Sequence, residues 1–420
     1  MPTLAHKLMR FLEIKPGLKK ALNYSLNKIS KSFGISGHCL FMPHRLFLEL
    51  TNSCNLHCAL CPNGSGLLRR DKASMSFSKF KNIIDQMAGY LIEAGIGGFG
   101  EPFLNEDIYR MLEYLKDKNI PVEIYTNFLS LDKRGIERLL DYCVDKIIVS
   151  LDAWDEDSYN SYKGVNGLRR VVDNLGYLAE IKKRRQQKKP VVNLQFIMLK
   201  ENISKIEKIR KIAEGAEIDK LVLKSPNLYL GRPDNYPNLE LEERFLHPEF
   251  NRYIYNNPNI LPCPWVWDSL IIYANGDIGP CCYDAQGDYV FGNIYSEDIG
   301  SIWNNKKYRN FRKNTIHNAN HNPLCALCME RHKGEARNQL IRLNLLKRIK
   351  TLERHKGYRE EAELEYERIK NNYLFVVGLS IYWGEGEKGE KGRVSVVNTD
   401  SDMLQVVVNF YRKILKVPES

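Results

Sequence analysis

Three cysteines, Cys54, Cys58 and Cys61, fall within eight residues of the segment LTNSCNLHCALCPNGSG that runs from Leu50 to Gly66. A tetrahedral metal site takes four ligands, so three thiolates on one short loop leave a position open to something that is not protein. Open coordination is the arrangement that chemistry needs. A second set lies downstream: twelve residues separate Cys263 from Gly276, four separate Gly276 from Cys281, and Cys325-Ala-Leu-Cys328 follows. Such clustering suits metal ligands better than thiols scattered through a core. The plainer alternatives are a zinc site or buried thiols for the first set, and a structural four-thiolate zinc knuckle for the second. Cys39 and Cys143 stand apart from both.

The elements that must position these residues follow from apolar periodicity. RLFLELT (45–51) reads as a strand delivering the first cysteine loop, and a capped, helically spaced stretch covers 76–94. Next come a strand IGGF (96–99), a helix from about Asn105 to Lys118, a strand PVEIYT (121–126), a helix from about Asp132 to Cys143 and a strand KIIVSL (146–151). A helix across 155–185, a strand VVNLQFIML (191–199), a helix near 202–214 and a strand KLVLK (220–224) complete six β/α units. Serial β/α units imply parallel strands with right-handed crossovers, in an open sheet or a partly closed barrel. The informative polar residues all follow strands: the cysteines after the first, Gly100-Glu101-Pro102 after the second, Thr126-Asn127 after the third, Ser150 and Asp152 after the fourth. In such a fold they share the C-terminal face, where ligands bind. One site is implied.

The cysteine loop, GFGEP after the second strand and VSLDAW after the fourth together resemble the radical S-adenosylmethionine (radical SAM) superfamily, over about residues 45–230. The resemblance implies a partial (β/α)6 TIM-like barrel in which Cys54, Cys58 and Cys61 hold a [4Fe–4S] cluster. It implies that S-adenosylmethionine chelates the fourth iron, and that an external donor such as flavodoxin or ferredoxin supplies an electron. One-electron cleavage of the sulfonium then gives a 5′-deoxyadenosyl radical that takes hydrogen from substrate. Carried over by position, the family's glycine-rich motif lands on Gly98 to Glu101, with Gly98, Gly100 and Glu101 near the cosubstrate and Phe99 where many members have glycine. Asn127, Ser150 and Asp152 match positions that face its ribose or carboxylate. As plain sequence, these three suit a turn or a helix cap equally well.

The second cysteine set, within CPWVWDSLIIYANGDIGPCCYD, resembles the auxiliary-cluster region called SPASM, or its shorter twitch form. This implies one auxiliary [4Fe–4S] cluster ligated by Cys263, Cys281, Cys325 and Cys328, with Cys282 an alternative to Cys281. GLSIYWGEGEKG (378–389) with RVSVVNTDSDML resembles the start of a LAGLIDADG-type endonuclease fold, of which only a fragment is present. The expected organisation is a basic arm (1–44), the radical SAM core (45–230), a linker (231–254), the auxiliary module (255–332), a charged helical segment (333–371) and this fragment (372–420).

Bulk composition excludes little more. Of 420 residues, 43% are hydrophobic, with no apolar run long enough to cross a bilayer. The N-terminus lacks the pattern of an export signal, so a cytoplasmic protein with reduced cysteines is expected. Net charge is +11, to which residues 1–45 add eight Lys/Arg against Glu13. KKRRQQKK (182–189) is a second basic run, expected to be a solvated helix end rather than a nucleic-acid surface. The competing functions are a hydrogen-abstracting radical enzyme of unknown substrate (peptide, glycan or small metabolite) with its catalytic residue unassigned, a non-catalytic iron–sulfur or zinc scaffold, and a nucleic-acid binder. GFGEP and VSLDAW have no purpose in a zinc scaffold.

Overall fold

The computed structural model describes residues 17–30, 37–39, 41–224, 226, 245, 263–317 and 322–326 in one compact unit, Met1–Leu346. In a second unit, Lys347–Ser420, it describes 351, 354, 357, 360–361, 363–385, 401–414 and 416. Cys328, most of the basic arm and nearly all of the linker lie outside the described residues.

After α1 (Leu18–Ser30), the chain alternates β1 (Arg45–Leu48), α2 (Phe77–Met87), β2 (Glu93–Ile96), α3 (Ile108–Asp117), β3 (Val122–Thr126), α4 (Lys133–Asp141) and β4 (Lys146–Ser150). It continues through α5 (Glu156–Lys163), α6 (Leu168–Arg184), β5 (Val191–Ile197), α7 (Ile206–Gly215) and β6 (Lys220–Lys224). The helices form where apolar side chains recur every three or four residues. In α2 the buried residues are Phe80, Ile83, Ile84 and Met87, one face of a helix against the sheet. Caps fix the starts: the Asp132 carboxylate accepts from the Gly135 amide at 2.7 Å, and Asp155 with Ser158 closes a capping box on α5. Strands β1 to β6 are all parallel and adjacent in chain order, the expected (β/α)6 partial barrel.

Three boundaries differ most from the sequence expectation. The helix expected over 76–94 ends at Met87, and Glu93 and Ala94 belong to the next strand. The second strand is Glu93–Ile96 rather than 96–99, because Glu93 pairs with Arg45 across the ladder at 2.7 Å and the glycines that follow leave the sheet. The single helix expected over 155–185 is α5 and α6. It breaks at Gly164, whose φ of 75° is left-handed and whose missing Cβ leaves room for His57, 2.7 Å from where that carbon would sit.

The auxiliary region joins the same sheet. α8 (Trp265–Asp268) leads into β7 (Ser269–Ile272), which pairs parallel with β1, from Arg45 opposite Ser269 to Leu48 opposite Ile272. β8 (Asp277–Gly279) and β9 (Gly292–Asn293) add antiparallel, giving the order β6-β5-β4-β3-β2-β1-β7-β8-β9. Helices α9 (Ile299–Trp303), α10 (Lys306–His317) and α11 (Pro323–Ala326) follow. The α9–α10 pair is anchored by Arg312, buried with its guanidinium 4.0 Å from the Trp303 ring and 4.1 Å from the Tyr308 ring. Its Nε donates to the Val266 carbonyl at 2.9 Å.

In the second unit α12 (Tyr373–Glu385) and α13 (Ser401–Asn409) pack together, with the Phe410 ring seated against Gly378, the glycine that opens GLSIYWGEGEKG. The basic run at the end of α6 is ion-paired: Lys182 with Asp219 at 3.2 Å, Arg185 with Asp141 at 2.6 Å, Lys189 with Asp145 at 2.7 Å, and Lys183 with Glu217. No helix among the described residues is long and apolar enough to cross a membrane.

Arg312→Ala should destabilise the first unit by about 2–4 kcal/mol, from lost ring stacking and an orphaned carbonyl. Arg312→Lys should fail to restore the loss, since an ammonium cannot stack between two rings. Urea denaturation of the three proteins checks this, and full rescue by lysine would show that charge alone matters.

Candidate metal and cosubstrate site

The cysteine loop leaves β1 and crosses the strand ends as a strap held at both sides. On one side, the amide of His57 donates to the Lys163 carbonyl at 2.8 Å and that of Ala59 to the Tyr162 carbonyl at 3.0 Å, hanging the strap on the last turn of α5. On the other, Asn63 Nδ2 donates to the carbonyls of Asn52 at 2.8 Å and Phe99 at 2.5 Å, and the Glu101 amide donates to the Ser53 carbonyl at 2.8 Å. Cys54, Cys58 and Cys61 are each half-buried along it, and none of the described cysteines is in a disulfide. Burial raises the Cys54 thiol above its ordinary value and pushes Cys58 up to about 12.

Of the other predicted residues, Gly100, Glu101 and Asn127 touch the same strap, Gly98 meets Glu49, and Ser150 and Asp152 reach the strap through Lys163. Gly98 and Gly100 follow β2, where Gly98 has a φ of 131° and a Cβ would collide with the Glu49 side chain at 2.8 Å. Gly100 lies against the Thr51 and Ser53 carbonyls. Glu101 is buried, accepting from Thr126 Oγ1 at 2.8 Å, the Asn127 amide at 2.8 Å and the Phe103 amide at 3.3 Å. Asn127 Nδ2 donates to Asn55 Oδ1 at 2.7 Å, and its Oδ1 accepts from the Leu129 amide at 2.9 Å. Asp152 sits just past β4 with φ at 58°, its Oδ1 accepting from the Ile197 amide at 2.7 Å and its Oδ2 from Lys163 Nζ at 2.6 Å. The Ser150 carbonyl takes another Lys163 proton at 3.2 Å. Asn127 and Asp152 therefore build the floor under the strap with their side chains.

In the auxiliary set, Cys263, Cys281 and Cys282 are half-buried and Cys325 buried, all within the first unit. Tyr289 Oη donates to Asn322 Oδ1 at 3.3 Å, which draws the Cys325 segment to the β8–β9 loop. Among the described residues, no three Cys, His, Asp or Glu side chains converge on one metal ion.

Residues 48–213 match the model of the radical SAM superfamily, and residues 263–329 match that of the SPASM iron–sulfur cluster-binding domain. The chain thus carries a radical SAM domain and a SPASM domain. The subtilosin biosynthesis protein AlbA of Bacillus subtilis, an antilisterial bacteriocin pathway protein, is 24% identical to this radical SAM chain over 63% of it and 60% of AlbA. Mycofactocin maturase MftC of Mycobacterium ulcerans is 31% identical over 34% of this chain and 38% of its own. The chain thus spans between 38% and 60% of the length of these two curated relatives. The structure of SuiB from Streptococcus suis bound to precursor peptide SuiA superposes with a TM-score of 0.53 at 17% identity, covering 72% of this chain and 74% of that one, a likeness of fold.

The donor set of the radical SAM protein fits an iron–sulfur cluster. Three soft ligands share one strap, and the proton each raised thiol holds is the one that ligation displaces. Several residues that shape the site escaped sequence reasoning. Lys163 and Asn63 carry no motif signal; the acidic Glu49 in an otherwise apolar strand segment was visible, but only its partner, Arg70, explains it.

Burial pushes Glu101 from its ordinary 4.5 up to about 7, against hydrogen bonds that favour the ionised form. A raised carboxyl stabilises the fold while neutral, so this contribution is present below the ordinary value and is lost as pH rises through about 7. Between pH 4.5 and 8 the radical SAM protein without cofactor should lose about 3 kcal/mol from this group. Chemical denaturation at a series of pH values should show Glu101→Gln with a flatter profile over that window; parallel profiles would mean Glu101 titrates normally.

Proposed function

We propose that this protein reductively cleaves S-adenosylmethionine at a [4Fe–4S] cluster held by Cys54, Cys58 and Cys61, and abstracts hydrogen from a peptide. The strap carries this reading: it hangs three thiols at the strand ends of a radical SAM barrel, and its anchors are the backbone of the glycine segment and of α5. The cluster, when bound, supplies the electron that splits the sulfonium and so releases a 5′-deoxyadenosyl radical. The chain's residues do the rest. The backbone from Gly98 to Glu101 presents polar groups to the amino group of S-adenosylmethionine, while Asn127, Ser150 and Asp152 fix the wall beside it. A flavodoxin or ferredoxin delivers the electron.

Substrate would lie at the C-terminal ends of the strands, beside the strap. The names of AlbA and peptide-bound SuiB make peptides the substrate class to test first.

The auxiliary module would hold a second [4Fe–4S] cluster on Cys263, Cys281, Cys325 and Cys328. Anaerobic reconstitution should therefore yield two clusters per chain. Replacing Cys54, Cys58 and Cys61 together by Ala should leave about half the iron and abolish 5′-deoxyadenosine formation under reductant. Stoichiometric zinc without iron in anaerobically purified protein would overturn the proposal.

A further inference from the structure

Glu49, the residue after β1, is fully buried, and Arg70, from the segment after the cysteine strap, has a side chain only 7% exposed. They meet as a two-pronged pair, Arg70 Nη1 to Glu49 Oε1 at 2.6 Å and Nη2 to Oε2 at 2.8 Å. Burying two charges costs several kcal/mol per ion, and an apolar pair of the same size often does as well or better. What charges add is direction, and here each prong points at a different module. Toward the cosubstrate segment, Oε2 accepts from the Phe99 amide at 3.1 Å, and Gly98 lies so close that any side chain would strike Glu49. Toward the auxiliary module, Arg70 Nε donates to the Ala285 carbonyl at 2.7 Å and its guanidinium lies 4.3 Å from the Tyr273 ring. Tyr273 in turn donates to the Asp284 carbonyl at 2.6 Å, and Oε1 receives the Ala274 amide at 3.4 Å. Residues 273–285 are the β7–β8 hairpin and the turn after it, which carries Cys281 and Cys282. Nearby links also join the modules, among them the β1–β7 ladder, Arg69 with Asp288 at 2.8 Å, and Gln286, which accepts from the Arg69 amide at 2.8 Å and donates to the Leu67 carbonyl at 2.9 Å, but none of these touches the Phe99 amide.

We propose that the Glu49–Arg70 pair couples loading of the auxiliary cysteines to binding of S-adenosylmethionine; this rests on the radical SAM reading of the strap site. A loaded auxiliary set fixes the turn after β8 and with it the Ala285 carbonyl. Arg70 is then held, Arg70 holds both Glu49 oxygens, and Glu49 holds the Phe99 amide in the segment that meets the cosubstrate. Glu49 and Arg70 are positioning residues and touch neither group. Linkage makes the effect reciprocal: S-adenosylmethionine must protect the auxiliary site by the same factor.

The test is a binding cycle on the full-length, anaerobically reconstituted chain, with radiolabelled S-adenosylmethionine in equilibrium dialysis and the electron paramagnetic resonance signal of the reduced first cluster as a second readout. The proteins are wild type, Cys281→Ala/Cys325→Ala, Glu49→Gln, and the combination. The auxiliary lesion should weaken binding about tenfold, within the usual range of coupling between sites. Glu49→Gln should weaken it similarly, and adding the auxiliary lesion to it should cost nothing more. Saturating S-adenosylmethionine should slow chelator removal of auxiliary iron in wild type and leave the rate unchanged in Glu49→Gln. Arg70→Lys, which keeps the charge but loses the fork and the Ala285 bond, should show the same loss of coupling and serves if Glu49→Gln fails to fold. Losses that multiply in the combined variants would overturn the coupling while leaving the strap site intact. Wild-type protein that retains its iron yet binds no S-adenosylmethionine would overturn the radical SAM reading itself.

Discussion

The ammonium of Lys163 is buried at the C-terminal ends of β4 and β5, where Asp152 lies 2.6 Å away and the Ser150 carbonyl takes a further proton. Burial by itself would strip that ammonium of its proton, yet the Asp152 carboxylate holds it in the charged form. An ion pair so thoroughly desolvated persists only when its geometry is fixed and its remaining polar atoms are satisfied. Asp152 meets that condition with the Ile197 amide, adopting a left-handed backbone conformation to do so. The carbonyl of the same lysine receives the His57 amide. One residue thus ties strands β4 and β5 to the strap that presents Cys58, and the free energy that orders the pair also orders the ligand loop.

Around that anchor, β1 is the organising strand. It pairs with β2 on one side and β7 on the other, its end releases the cysteine strap, and the next residue is Glu49. The barrel and the SPASM domain are therefore built on a shared strand and are not two bodies on a tether. A displacement of β7 has to be felt at β1, because main-chain hydrogen bonds between strands leave little freedom for sliding. That rigidity suits radical chemistry, in which the protein supplies orientation and exclusion of water while the cofactor supplies the reaction.

The surface charge is less eventful. The run from Lys182 to Lys189 meets Asp141, Asp145, Glu217 and Asp219, contributed by neighbouring β/α units. Exposed pairs of this kind add little stability. They do offset four of the six positive charges of the run.

What the sequence by itself determined was periodic or punctuated: six β/α units, parallel strands, and the placement of Cys54, Cys58, Cys61, Gly98, Gly100, Glu101, Asn127, Ser150 and Asp152 at strand ends. Those follow because a β/α repeat has one handedness and ligands gather on one face of it. Residue spacing also made the cysteine strap legible, since three thiols in eight residues are local by construction. Tertiary structure alone decided that β7 would close onto β1, that Lys163 would neutralise Asp152, and that Glu49 would find Arg70. Each of these joins residues whose separation carries no period, and a lone charge in an apolar run announces a partner without naming it. The physical reason is common to all three: a buried charge or an open strand edge is intolerable until it is satisfied, and which distant group satisfies it depends on how the finished sheet packs.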